Sequence, residues 1–243
     1  MMIRFRAVGA AIVLGALLSV AGIAGPAAAA GYVTISGGGS TMAFNAFQAW
    51  SGNVAQFGMR VDYERSGNTA GRSKFREGVY DWAVSDIPYG VDDQPPVRGY
   101  TYVPSVAVAT TFVYNLKIGT TRVTNLRLSG ETVTKIFTGA LTRWNDPAIA
   151  ADNPGLALPA IPIVPVVRSD SAGTTLQFTR WMAARHGPTC GCVPTSAFPV
   201  PPGSGMIAQP GDLGVSGYVG QYGANGTIGT GQRRVSTTRI NVG

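Results

Sequence analysis

Tyr32-Val33-Thr34-Ile35-Ser36-Gly37-Gly38-Gly39-Ser40-Thr41 reads as a strand running into a glycine turn, and the pattern of the next forty-odd residues decides the fold. Phe47, Trp50, Val54 and Phe57 recur at helical spacing, and then Met59, Val61 and Tyr63 alternate as a second strand. A second turn, Ser66-Gly67-Asn68-Thr69-Ala70-Gly71, opens a short helix to about Glu77. The strand Asp81-Trp82-Ala83-Val84-Ser85-Asp86 comes next. This β-α-β-α-β order predicts an α/β fold with a largely parallel sheet.

A Pro/Gly-rich stretch from Pro88 to Pro104 separates this unit from a second one. Val106 to Leu116 is a long strand candidate, and Ser129 can cap a helix through Phe137 with Gly139 just past its end. Ile161 to Val167 is another strand, where Pro162 and Pro165 imply an edge or irregular position. The third turn, Arg168-Ser169-Asp170-Ser171-Ala172-Gly173-Thr174-Thr175, leads into a helix through Leu176, Thr179, Trp181 and Ala183. Pro188 to Pro202 reads as a loop and Asp212 to Gln221 as a short helix. There is no repeat of fixed period. A first α/β lobe over 31–104 and a second over 105–230 are expected.

Arg4 and Arg6, an apolar run from Ala7 to Ala24, and Pro26-Ala27-Ala28-Ala29-Ala30 form a secretory leader over 1–30. An uncleaved anchor is the competing reading, and the Ala-rich exit favours cleavage near Ala29 or Ala30. Export to the periplasm, cell envelope or exterior is expected. Removing Arg4 and Arg6 from the formal charge of +7 leaves +5 on about 213 residues, a modest balance that suits an anionic ligand or an acidic surface. The basic residues are scattered, so nucleic acid is not an expected partner.

Cys190 and Cys192 are the two cysteines and His186 the single histidine, which is too few ligands for zinc, so no metal or other cofactor is expected. A bond between cysteines two apart would be strained. Pairing with another chain or with a cysteine in a missing segment are the alternatives. His186 reads as part of a surface loop. An enzyme acting on phosphate esters is disfavoured, because no nucleophile–base pair or metal cluster is evident. Gly37 to Thr41 also lacks the Gly-Lys-Ser/Thr ending of a nucleotide P-loop.

Each of the three turns precedes a helix start, where backbone N–H groups lack partners and partial positive charge gathers. Glycine lets a ligand approach the backbone, and Ser or Thr adds hydroxyl donors. Three such turns with Arg168 on the third point to a bound oxyanion in a cleft between the α/β units.

Between about Ile35 and Ile228 the chain resembles the phosphate-binding protein family of bacterial ABC phosphate importers. The resemblance rests on Gly38-Gly39-Ser40-Thr41, Val84-Ser85-Asp86-Ile87-Pro88, Phe137 through Trp144-Asn145-Asp146-Pro147 to Asn153-Pro154-Gly155, and Arg168-Ser169-Asp170 leading into Gly173-Thr174-Thr175. It implies a two-lobed type II periplasmic-binding-protein fold that closes on inorganic phosphate by hinge motion. It also implies a monomer serving an ABC importer, with binding and no turnover.

Position by position, the resemblance implies a phosphate site of Ser40, Thr41, the Met42 backbone, Asn68, Asp86, Arg168, Ser171, Ala172, Gly173 and Thr174. Asp86 would accept the proton that phosphate keeps near neutral pH and sulfate lacks. Asn68 and Ala172 stand where the family usually has serine. A lost hydrogen bond to a charged ligand costs about 1.5–3 kcal/mol, or roughly ten- to a hundredfold in affinity. Family members also continue past Gly226-Thr227-Ile228-Gly229 with a Tyr-rich strand and helices that return to the first lobe. This chain instead has a basic stretch, Gln232-Arg233-Arg234-Val235-Ser236-Thr237-Thr238-Arg239, so a missing return segment and a disordered 231–243 tail are expected. The alternative function is a secreted or cell-surface domain of this fold that has lost tight binding.

Overall fold

The computed structural model describes residues 32–231 except 92 and 222. The expected leader and residues 232–243 of the expected tail lie outside the described residues. From Thr34 on, the described residues belong to one compact unit, built on two separate sheets.

The first sheet carries β1 (Ile35–Gly39), β2 (Val61–Glu64) and β3 (Trp82–Val84) in the order β2-β1-β3, all parallel. Helices α1 (Phe44–Ala55) and α2 (Asn68–Arg76) make the crossovers, as the β-α-β-α-β reading requires. The glycine run departs from expectation. It is not a turn after a strand ending at Ile35 but the body of β1 itself. Close packing explains this, since a Cβ built on Gly71 of α2 would stand 2.5 Å from Gly39 Cα. The glycines let helix and strand backbones touch.

Phe47 of α1 lies 5.1 Å from the Tyr63 ring and 4.8 Å from Trp82, centroid to centroid. Even so, no residue of α1 is fully buried, and Phe57, expected on its apolar face, falls past its end and is exposed.

The second sheet has the order β4-β9-β7-β8, from β4 (Thr111–Asn115), β7 (Val164–Arg168), β8 (Ile207–Gln209) and β9 (Thr227–Gly231). β4 runs antiparallel to β9 and the other pairs are parallel. β5 (Lys117–Ile118) and β6 (Thr121–Arg122) form a small hairpin. The long strand expected from Val106 begins only at Thr111.

β7 is interior rather than at an edge, despite Pro165. Val164 N–H donates to Gly226 O at 3.0 Å, so the Pro165 nitrogen faces the opposite side, where β8 begins pairing only at Val166. The missing donor therefore has no partner to lose.

Helix α3 (Gly130–Phe137) forms as expected, with Ser129 Oγ accepting from Thr132 N–H at 3.2 Å. Ser129→Ala should cost about 1 kcal/mol, the typical value of such a cap, measurable as a lowered urea midpoint at unchanged slope. In α4 (Pro147–Asp152), Asp146 caps a helix that begins on proline.

Helix α5 (Gly173–Cys190) runs through Pro188, where the sequence implies the start of a loop, by kinking at His186. His186 is accordingly not in a surface loop. It is half-buried, edge-on to Trp181 with ring centroids 5.0 Å apart. Just beyond, Cys190 and Cys192 are joined as a disulfide with Cα atoms 5.0 Å apart. Helix α6 (Gly211–Val219) covers the expected short helix.

The main core sits on this side. Phe112, Phe137, Trp144, Phe178 and Ile228 pack together, and the Trp144 indole donates to Gly226 O at 2.9 Å. The C-terminal ends of β1, β3 and β7 and the starts of α2, α5 and α6 then lie close to one another, and the predicted site residues are on them.

Candidate functional site

Arg168 ends β7 and is buried. Its Nε donates to Asp170 Oδ1 at 2.7 Å, its Nη2 bonds Asp170 Oδ2, and its Nη1 lies 2.8 Å from Asp212 Oδ1. Burial opposes the charged guanidinium, but these two carboxylates outweigh it and raise the group further above its ordinary value. Burial likewise pushes the Asp170 carboxyl up, yet the bonds from Arg168 and from the Gly211 N–H at 2.9 Å hold it below the usual range.

Asp86 follows β3 and behaves differently. A Cβ built on Gly173 would overlap its carboxyl group, so the carboxyl sits directly on the first residue of α5. Its Oδ1 is buried with no hydrogen-bond partner among the described residues. Burial raises its pKa, against the pull of its own backbone N–H and Asn68, with Asp212 adding to the rise and Arg168 opposing it. The Asn68 side chain accepts from Asp86 N–H at 3.2 Å, so this residue fixes the loop carrying Asp86.

Gly173 and Thr174 open α5 behind Ala172, which offers no side-chain cap. The helix's own 5→1 bonding begins with Leu176 N–H to Ala172 O at 3.1 Å, which leaves the preceding N–H groups directed out of the helix start. Ala172 N–H is taken by Ser196 O at 2.9 Å, and Ser171 Oγ donates to Ser196 Oγ at 2.8 Å.

The remaining predicted residues approach from the first sheet. Ser40 is buried, its N–H on Val84 O at 2.8 Å and its carbonyl taking the Tyr63 hydroxyl at 2.6 Å. Thr41 Oγ1 donates to Asp212 Oδ2 at 2.8 Å, and Thr174 Oγ1 lies 3.8 Å from Met42 Sδ. Thr69 Oγ1 donates to Ser171 Oγ at 2.9 Å.

Direct contacts thus bring Thr41, Met42, Asn68, Asp86, Arg168, Ser171, Gly173 and Thr174 into one region, with Ser40 and Ala172 held beside it by backbone bonds. Sequence reasoning quotes Asp170 in a motif and Asp212 as the start of a short helix, and assigns neither to the site. In sequence, Asp212 looks like the ordinary acid that favours a helix first turn. Chemically, the region offers one buried guanidinium, a helix start and hydroxyl donors to an oxyanion, together with a carboxyl of raised pKa that can accept a proton from it. Among the described residues, no cluster of three or more His, Cys, Asp or Glu could hold a metal ion. No helix among them is long and apolar enough to cross a membrane.

Residues 24–239 match the family model of a PBP superfamily domain. The chain is 32% identical over 165 residues to phosphate-binding protein PstS 3 of Mycobacterium leprae, covering 65% of this chain and 44% of the relative. It is 31% identical over 201 residues to phosphate-binding protein PstS of Xylella fastidiosa, covering 81% and 52%. The chain spans about half the length of these curated relatives. The crystal structure of a phosphate-binding protein from Stenotrophomonas maltophilia shares the fold, with a TM-score of 0.61 at 19% identity over 86% of this chain and 65% of that one.

Proposed function

The chain belongs to the PBP superfamily, and on that premise we propose that it captures inorganic phosphate, as an exported binding protein for an ABC-type importer and without turnover. The observation that carries this reading is the Asp86 carboxyl seated on Gly173 at the start of α5, beside Arg168. A buried carboxylate with an unpartnered oxygen repels a fully ionised anion and welcomes one that brings a proton. Phosphate does so near neutral pH; sulfate does not. Thr41, the Met42 backbone, Arg168, Gly173 and Thr174 supply the donors in this reading. Ser40, Asn68, Ser171 and Ala172 shape the loops that hold them. The relatives' names support phosphate as the ligand, and the leader read over 1–30 supports export.

One observation favours the second reading, a surface domain that no longer binds tightly. The nitrogens of Arg168 are already engaged by two carboxylates. Calorimetry decides between the readings: phosphate should bind and sulfate should not, and heat from neither would refute capture.

Asp86→Asn should shrink the discrimination against sulfate at least tenfold, because the amide can donate to an unprotonated oxygen. The same variant gives a stability test. A carboxyl whose folded-state pKa is raised contributes stability in its protonated form, present in acid and lost as pH rises through the folded value. Ligand-free Asp86→Asn should therefore melt above wild type at neutral pH, with the gap closing in acid. An equal gap across a melting series would contradict the raised carboxyl.

A further inference from the structure

Asp212 has no task in phosphate capture, yet it holds two of the groups assigned to the ligand. It lies in the first turn of α6, is 5% exposed, and uses a different oxygen for each partner. Oδ2 takes the Thr41 hydroxyl at 2.8 Å, from the turn after β1 on the first sheet. Oδ1 stands 2.8 Å from Arg168 Nη1, at the end of β7 on the second sheet. Two oxygens on one centre, bridging a hydroxyl donor and a guanidinium, reproduce one edge of a bound oxyanion.

The two demands conflict. A threonine hydroxyl has a single proton, so Thr41 cannot donate to Asp212 and to a ligand oxygen at once. Arg168 gives two of its five N–H donors to Asp170, and the Asp212 carboxylate stands 2.8 Å from Nη1, so a ligand reaching for that nitrogen meets Asp212 first. A second carboxylate facing an incoming anion also repels it. Asp170 is different, because it binds the Arg168 fork and the Gly211 N–H, on the second-sheet side alone.

Resting on the phosphate reading, we propose that Asp212 is a built-in stand-in for the oxyanion. It ties Thr41 to Arg168 while no ligand is present, and phosphate must displace it to bind. Asp212 is then the residue that sets affinity, holding it below what Thr41, Arg168 and the α5 start could otherwise reach.

The test is calorimetry of the full chain with inorganic phosphate at fixed ionic strength, comparing wild type, Asp212→Ala and Asp212→Asn. Both variants should bind phosphate at least tenfold more tightly, with the alanine variant the tighter of the two. If Asp212→Ala does not fold, Asp212→Asn, which keeps an acceptor for Thr41, carries the comparison. Folded variants that bind as wild type does, or more weakly, would show that Asp212 merely positions Arg168, and the stand-in idea would fall while phosphate capture stood. Absence of phosphate binding in every chain would overturn capture and the stand-in together.

Discussion

Arg168→Ala is expected to abolish measurable phosphate binding and to destabilise the ligand-free chain by about 3–5 kcal/mol, the range for breaking a buried ion pair from one side. Both effects share a cause. Arg168 is 3% exposed and is the cation between Asp170 and Asp212. Deleting it leaves two neighbouring carboxylates without their counter-charge, one of them almost fully buried. The anion then meets a site of uncompensated negative charge.

Arg168→Lys separates charge from geometry. Lysine restores a positive charge but not the planar fork that satisfies both Asp170 oxygens, so part of the stability should return and little of the affinity. Urea unfolding and calorimetry on the three chains measure this directly. An alanine variant that binds phosphate with wild-type affinity would remove Arg168 from the site.

Gly173→Ala should weaken phosphate binding about a hundredfold, equivalent to about 2.7 kcal/mol. In an ordinary helix this substitution is favourable by about 0.5–1 kcal/mol. Here the new methyl would fall on the Asp86 carboxyl. Either Asp86 is expelled from its buried seat or α5 shifts away from β3, and in both cases the proton acceptor and the helix-start donors part. Phosphate calorimetry reads the loss, and a melt separates local displacement from unfolding. An alanine variant that binds and melts like wild type would show that Asp86 does not sit on the start of α5 in solution.

Much of the fold is legible from local signals. Ser129 capping α3, the alternation at Val61 and Tyr63, and the spacing of the first helix all act within a few residues. The early α/β order follows from them, and the structure bears it out. The glycine run misleads because glycine marks turns in sequence, whereas a Cβ on Gly39 would strike the Val84 carbonyl of β3 and one on Gly71 would strike Gly39, neighbours that a linear reading does not bring together. Pro165 and Pro188 look like breakers and are not. One lies in β7 with its nitrogen on the side that β8 pairs only from Val166 on, and the other sits beyond a kink at His186 that absorbs it.

In the site, the residues carried over from the family motifs do converge. Asp212 escapes because its meaning lies in Thr41, 171 positions away on the other sheet, and in an arginine at the end of a separate strand. No spacing rule reaches that far.

The uneven burial of the two sheets has a thermodynamic consequence. The second sheet rests on a dense core of aromatic and aliphatic side chains, whereas α1 buries none of its residues completely. Opening free energies track buried contact, so the Thr41 side of the site should open locally at lower cost than the second sheet. Arg168 and α5 belong to the part that holds until the whole chain gives way. A ligand gripping both would use some of its binding energy to quiet the softer half, and its affinity would record that fluctuation as well as the contacts.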